Sequence, residues 1–177
     1  GGNINCTNGN NFLSAGRGDI LVDVSGNLNL SGGTLSLKGN SPTTSAVMDI
    51  KGGFTQTNGI FYFHNNSTLS SIETTVTVNS DDDAAGNFVQ SGGTINMDNN
   101  SSSGTSKTLV IKSPNYTIGP SGTIMRVGVG TIGARGTVLF SKAGPILFSR
   151  TSGHLVNHCS QEVVTGTTLD VTTGDLQ

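Results

Sequence analysis

A short unit recurs along this chain and limits the folds that the chain can adopt. In its clearest copy, residues 86–97 read GNFVQSGGTINM, where apolar and polar residues alternate on both sides of a Ser-Gly-Gly-Thr corner. Alternation with a period of two is typical of half-buried β-strands. The unit therefore predicts a strand, a tight turn and a second strand. Earlier copies read GNLNLSGGTLSL at residues 26–37 and GGFTQTNGIFYF at residues 52–63, and looser copies begin at Asn115 and Gly144.

Two independent spacings measure the repeat, and both average about 30 residues. One is the spacing of the corner glycines Gly2, Gly33, Gly59, Gly93, Gly122 and Gly153. The other is the spacing of the apolar pairs Val22/Val24, Met48/Ile50, Val76/Val78, Leu109/Ile111, Val138/Phe140 and Leu169/Val171. A fixed period of this length is the signature of a stacked repeat. Each period holds three short strands and no capped helical pattern: a first strand such as residues 21–24, which contains the apolar pair, a second such as residues 27–30 and a third such as residues 34–37. The sequence therefore predicts an all-β parallel β-helix (solenoid) of about six coils, right-handed by the crossover rule.

Stacking would align equivalent residues of successive coils in columns inside the solenoid. One predicted column is Leu28, Phe54, Phe88, Tyr116, Ile146 and Leu176, and the next is Leu30, Gln56, Gln90, Ile118 and Phe148. Consecutive aromatic residues in the first column are expected to stack along the axis. The two glutamines of the second column are expected to form a hydrogen-bonded ladder, because buried amides need partners.

The two cysteines are expected to lie far apart. The opening GGNINC is similar to GGTINM, which predicts that Cys6 is a buried third-strand residue in the column of Leu37, Phe63 and Met97. Cys159 is expected in a turn about five rungs away, or about 24 Å at the usual strand spacing. A disulfide requires Cα atoms within about 7 Å. We therefore expect no bond between Cys6 and Cys159 within one chain.

One insertion marks a candidate binding loop. The connection from Val78 to Phe88 takes ten residues where the corresponding connections take four to six, and the extra residues are 80–85, SDDDAA. The candidate binding residues are Ser80, Asp81, Asp82 and Asp83, together with Asp98, Asn99 and Asn100 of a neighbouring turn. Three adjacent carboxylates raise the hypothesis of a calcium site, although their spacing is not that of an EF-hand. No other cofactor is expected.

The sequence contains no pattern that predicts catalysis. Asp23, Asp49 and Asp98 are expected in different columns, and His154 and His158 would lie about 13 Å apart on a strand. No nucleophile comes with an identifiable base, so we expect no enzyme activity. With 11% charged residues and a net charge of -2, nucleic-acid binding is not expected either. The chain also lacks the run of about 18 apolar residues that membrane insertion requires.

The quoted repeats GNFVQSGGTINM, GNLNLSGGTLSL and GGFTQTNGIFYF resemble those of very large secreted surface proteins of Bacteroidetes-type bacteria. Such proteins are often adhesin-like and exported by the type IX system. The resemblance implies an extracellular or cell-surface location. It also implies that the partners are other modules of the same long chain, a glycan or other cell-surface ligand, or the secretion machinery.

The leading hypothesis is that residues 1–177 form a single β-helix segment of a longer repetitive chain and serve as a non-enzymatic stalk or adhesin module. The segment is expected to begin in a third strand and to end at Leu176 in a second strand, without a polar cap. A glycan-binding or glycan-cleaving β-helix is one alternative. An ice-binding solenoid is another, and it is less favoured because coils of 26 to 34 residues predict an irregular surface.

Overall fold

The computed structural model describes residues 2–13, 18–38, 45–64, 73–97, 107–125, 136–142, 144–150, 160–163 and 167–173. Within these residues all regular elements are β-strands, and all paired strands run parallel. The strands stack as a β-solenoid, so the predicted fold class is confirmed. The hand of the coil stays a prediction.

The first strand of each coil contributes to a six-stranded sheet. Its members are β3 (Ile20–Val24), β6 (Ser45–Ile50), β9 (Glu73–Val78), β11 (Lys107–Ile111), β13 (Gly136–Phe140) and β15 (Ser160–Val163).

Second and third strands together form a ten-stranded sheet, because β10 and β12 continue through the corner between them. The second strands are β1 (Ile4–Cys6), β4 (Leu28–Leu30), β7 (Phe54–Gln56), the first part of β10 (Phe88–Asn96), the first part of β12 (Asn115–Met125), β14 (Gly144–Arg150) and β16 (Thr167–Thr173). The third strands are β2 (Asn10–Phe12), β5 (Thr34–Lys38), β8 (Ile60–His64) and the last parts of β10 and β12.

The core is a narrow column of apolar side chains inside the coils, as the alternating pattern predicts. Leu28, Phe54, Phe88 and Tyr116 are consecutive register partners, and all four are buried. The ring centroids of Phe54 and Phe88 lie 4.9 Å apart with 23° between their planes. Phe88 and Tyr116 are also 4.9 Å apart, at 40°. The predicted aromatic stack is therefore confirmed, and Phe140 of β13 closes it edge-on at 5.2 Å from Tyr116.

The corner between second and third strands depends on glycine for two reasons. Gly33, Gly59 and Gly93 all have positive φ values, of 69°, 82° and 80°. A Cβ at Gly33 would also lie 2.5 Å from a backbone carbon of the preceding coil, so no side chain fits there. Both the turn and the close stacking of coils thus require glycine at this corner.

The first coil lies in a different register from the predicted one. Cys6 pairs with Leu30, so it belongs to the column of Gln56 and Gln90 and not to the third-strand column. The prediction failed because second and third strands share the same period-two pattern, which does not tell them apart. The second strands consequently number seven in the described residues, one more than the six predicted coils. Cys6 is buried with a free thiol, whereas Cys159 lies outside the described residues.

The last coils also differ from the predicted alignment. Tyr116 pairs with Phe148, not with Ile146, and Ile118 pairs with Arg150. Leu169 and Val171 were predicted in a first strand, but they lie in β16, a second strand that pairs with β14. The final first strand is instead β15. A slip of two residues keeps the same faces inward, so alternation alone does not detect it. Leu176 lies outside the described residues.

Candidate functional site

The predicted binding loop, residues 80–85, is an ordered structure built around one buried side chain. Asn79 is fully buried and has a positive φ of 59°. Its Nδ2 donates to the carbonyl oxygen of Asp83 at 2.8 Å, and its Oδ1 accepts from the Asp83 N–H at 3.0 Å. A Cβ at Gly86 would lie 2.0 Å from that Oδ1. Asn79 therefore sets the shape of the loop, and Gly86 leaves the space for its amide.

The loop is also fastened to the next two coils. Val78, Ile111 and Phe140 are register partners at the ends of β9, β11 and β13, and a lysine follows soon after the last two. Lys112 Nζ donates to the Ser80 carbonyl oxygen at 3.4 Å. Lys142 Nζ lies 2.6 Å from Asp82 Oδ1. We call residues 80–85 with these two lysines the loop strap, because together they span three coils.

The loop strap bears directly on the calcium hypothesis. Asp82 already pairs with Lys142, and Asp83 Oδ1 accepts from the Ala85 N–H at 3.0 Å. Asp81 is exposed. A cation bound by all three carboxylates would have to displace the Lys142 ammonium group. In the part of the chain that the structure describes, no three His, Cys, Asp or Glu side chains converge as a metal site would require. Asp98, Asn99 and Asn100 lie outside the described residues.

Two aspartates predicted in different columns lie in the same one. Asp23 and Asp49 are register partners on the outward side of β3 and β6. Lys51 Nζ lies 3.8 Å from Asp23 Oδ2, and the Asp23 side chain is 60% exposed. Glycoside hydrolysis uses paired carboxylates, but it needs one of them desolvated so that it can act as an acid. Asp23 is exposed and pairs with a lysine, and Asp49 is partly exposed, so the two carboxylates form a solvated charge cluster. Asp98, His154 and His158 are not described.

The Gln56–Gln90 ladder predicted inside the solenoid is confirmed. Gln90 Nε2 donates to Gln56 Oε1 at 3.0 Å. Gln56 Nε2 donates to the carbonyl oxygens of Gly59 and Thr94, each at 3.1 Å. Both amides are fully buried and point at the glycine corner, so their role is to hold adjacent coils and the corner together.

A second ladder, made of asparagines, occupies the corner before the second strands. Asn3 Oδ1 accepts from the Asn27 N–H at 2.8 Å, and Asn27 Oδ1 accepts from the Gly53 N–H at 2.7 Å. Further along, Asn115 Nδ2 donates to Asn87 Oδ1 at 2.7 Å. Our sequence reasoning missed this ladder. The available signal was the Gly-Asn pair that precedes β1, β4 and β10.

The asparagine ladder forms one edge of an extended outward surface of the second strands β1, β4, β7, β10 and β12, which we call the amide–hydroxyl face. It consists of three columns in register along the axis. These are an amide column of Asn3, Asn27, Gly53, Asn87 and Asn115, a central column of Asn5, Asn29, Thr55, Val89 and Thr117, and a hydroxyl column of Thr7, Ser31, Thr57 and Ser91. The hydroxyl column is exposed throughout, and the central column alternates with buried residues along each strand.

Comparison of the chain with models of protein families, with curated proteins and with solved structures finds no match. The described residues include no helix long and apolar enough to cross a membrane.

Proposed function

We propose that this chain is a non-enzymatic structural module, a stiff stalk or adhesin segment of a secreted or cell-surface protein. The observation that carries the proposal is the continuous packing along the solenoid axis. Phe54, Phe88 and Tyr116 link successive coils by ring contacts of 4.9 Å, and the buried glutamine ladder links them beside the rings. A stack held by such contacts between its central coils resists bending and local opening there, which is what a spacer between other modules requires.

The loop strap supports the same proposal. A flexible binding loop would be expected to lack contacts with the scaffold, whereas residues 80–85 are tied to Lys112 and Lys142 of the next coils. In a stalk, such contacts reinforce the stack along its axis. For an adhesin, the exposed Asp81 is the loop position best placed to meet a cell-surface ligand. The location and export route in this proposal rest on the resemblance of the repeats to those of type IX-exported surface proteins.

Small-angle X-ray scattering of the purified chain, combined with assays for adhesion and hydrolysis, tests this function. A solenoid adds about 4.8 Å of length with each coil, so the scattering should fit a short rod. If the rod is stiff, the scattering curve should also change little between low and moderate urea. Scattering typical of a flexible chain would contradict a stalk. Release of reducing sugars or unsaturated products from a polysaccharide panel would contradict the non-enzymatic proposal.

The adhesin form of the proposal has its own test. Binding to a glycan array or to host cells should fall in Asp81→Ala if the loop contacts the ligand. Asp23→Ala, which removes an exposed carboxylate of β3 outside the loop, is the matched control. Equal binding by both variants and the wild type would remove the loop from the binding surface and leave the stalk function.

A further inference from the structure

The amide–hydroxyl face differs from the other outward surfaces in carrying no charged side chain at any of its fourteen positions. The outward positions of the first strands include Asp23, Asp49 and Glu73. Those of the third strands include the aromatic residues Phe12 and Tyr62. The second strands β1, β4, β7, β10 and β12 thus present side chains that are amides, hydroxyls and methyl groups, whereas β14 and β16 bring Leu147 and Asp170 into register with the amide column. Such a surface offers hydrogen bonds and methyl contacts but no charge that would attract an ionic partner.

This face is also regular in two dimensions. Neighbouring strands are about 4.8 Å apart and alternate residues along a strand about 6.7 Å apart. Its side chains are short, and several are fixed by neighbours in the same column. Asn29 Nδ2 donates to Asn5 Oδ1 at 2.8 Å, and Asn115 donates to Asn87 at 2.7 Å. Thr55, Thr117 and Val89 are β-branched and have few rotamers. The groups on this face are therefore held in place before any partner arrives.

The unequal coil lengths do not disturb this regularity. Leu28, Phe54, Phe88 and Tyr116 are register partners although 26, 34 and 28 residues separate them in sequence. The central column lies between these residues and the next inward column, so it has the same register. Extra residues fall in connections outside the second strands, such as the loop strap. Coils of different length therefore do not prevent a regular binding surface on this face.

The chemistry of the face fits an extended, ordered and uncharged partner. Small ligands are bound in concave sites with a few convergent polar groups, and sugars are commonly held against aromatic rings. The three columns contain no aromatic residue. Methyl groups of threonine and valine order the first layer of water around them, and hydroxyls and amides can hydrogen-bond to that layer. We propose that the amide–hydroxyl face binds ice, with the fixed array of groups holding a layer of water that merges with the crystal lattice.

Partition into slowly growing ice tests this proposal on the full chain. The wild type should be enriched in the ice fraction relative to an inert reference protein of similar size, and it should slow ice recrystallisation. Thr55→Tyr places a bulky ring in the central column and should reduce both effects to the level of the reference. Thr57→Tyr, at an exposed position that needs no change in the core, should do the same. Thr75→Tyr, on the outward side of β9, should behave like the wild type.

The other outcomes overturn the proposal. Wild-type protein that partitions like the reference excludes ice binding, as does equal enrichment of the wild type, Thr55→Tyr and Thr57→Tyr. A parallel pull-down with insoluble cellulose and chitin covers the main competing partner. Retention on these polymers that Thr55→Tyr abolishes, without enrichment in ice, would replace ice by a neutral polysaccharide. Circular dichroism confirms that each variant is folded. Because none of these results depends on stiffness, a failure here leaves the stalk proposal standing.

Discussion

Truncation of Phe88 is the most direct perturbation of the aromatic stack inside the coils. Its side chain is fully buried and stacks on Phe54 and on Tyr116, with 4.9 Å between centroids in each pair. Burial of this kind makes Phe→Ala cost about 3 to 5 kcal/mol. Each aromatic pair contributes about 0.5 to 1.5 kcal/mol beyond its buried area, so we expect Phe88→Ala in the upper part of the range. In urea, with an m-value of about 1 to 3 kcal/mol per M, the midpoint should fall by more than about 1 M.

Val89→Ala is the matched control, because Val89 is the next residue of the same strand and points outward. Its cost should stay near or below about 1 kcal/mol, as for most surface truncations. Unfolding should be followed by circular dichroism and by tyrosine fluorescence, since stacked repeats can unfold in more than one step. A free energy of unfolding lowered equally by Phe88→Ala and Val89→Ala would refute the inward aromatic stack.

Three further predictions use the same unfolding assay. A double-mutant cycle with Asp82→Asn and Lys142→Met should give a coupling of about 0.3 to 1 kcal/mol for this partly exposed pair, decreasing in 1 M salt as charges are screened; zero coupling would remove the pair from the loop strap. Gly9→Ala should cost about 1 to 2 kcal/mol because of its left-handed backbone alone, since a Cβ at Gly9 has nothing within 4 Å. Gly33→Ala should cost clearly more, because a Cβ at Gly33 would also lie 2.5 Å from the backbone of the preceding coil. Equal costs at the two glycines would contradict the close stacking of corners. Gln90→Leu should cost about 1 to 3 kcal/mol by leaving the carbonyl of its ladder partner without that donor; a neutral effect would contradict the ladder.

Much of the scaffold could be predicted from sequence because the repeat imposes its own geometry. Once the coils are stacked at a fixed period, the alternation places Phe54 and Phe88 inside, and a buried Gln56 must find a partner in the next coil. The errors arose where alternation is ambiguous. The prediction places Cys6 in a third strand because second and third strands show the same pattern. It aligns Phe148 with Ile118, whereas Phe148 pairs with Tyr116, and a shift of two residues leaves the alternation unchanged.

The surface features were less accessible to sequence reasoning. The contact between Asp82 and Lys142 joins residues 60 positions apart, and no local pattern reports it. Asp23 and Asp49 are different in kind, because each lies between the members of an aligned apolar pair, Val22/Val24 or Met48/Ile50, and that alignment already predicts that they are neighbours. The regularity of the amide–hydroxyl face depends on where extra residues are placed in each coil. Coil length alone, read from the sequence, gives the wrong expectation for that face.

Successive coils stack in parallel in a single register, and an engineered disulfide is the sharpest test of that stacking. Thr55 and Val89 are register partners with outward side chains. In Thr55→Cys/Val89→Cys the Cα atoms should lie about 4.8 Å apart, within the range of about 4.4 to 6.8 Å that disulfides span. In Asn29→Cys/Val89→Cys they should lie about 10 Å apart, two coils away. Peptide mapping of oxidised monomer should recover the 55–89 link and no 29–89 link, whereas a 29–89 link without a 55–89 link would contradict the stacking.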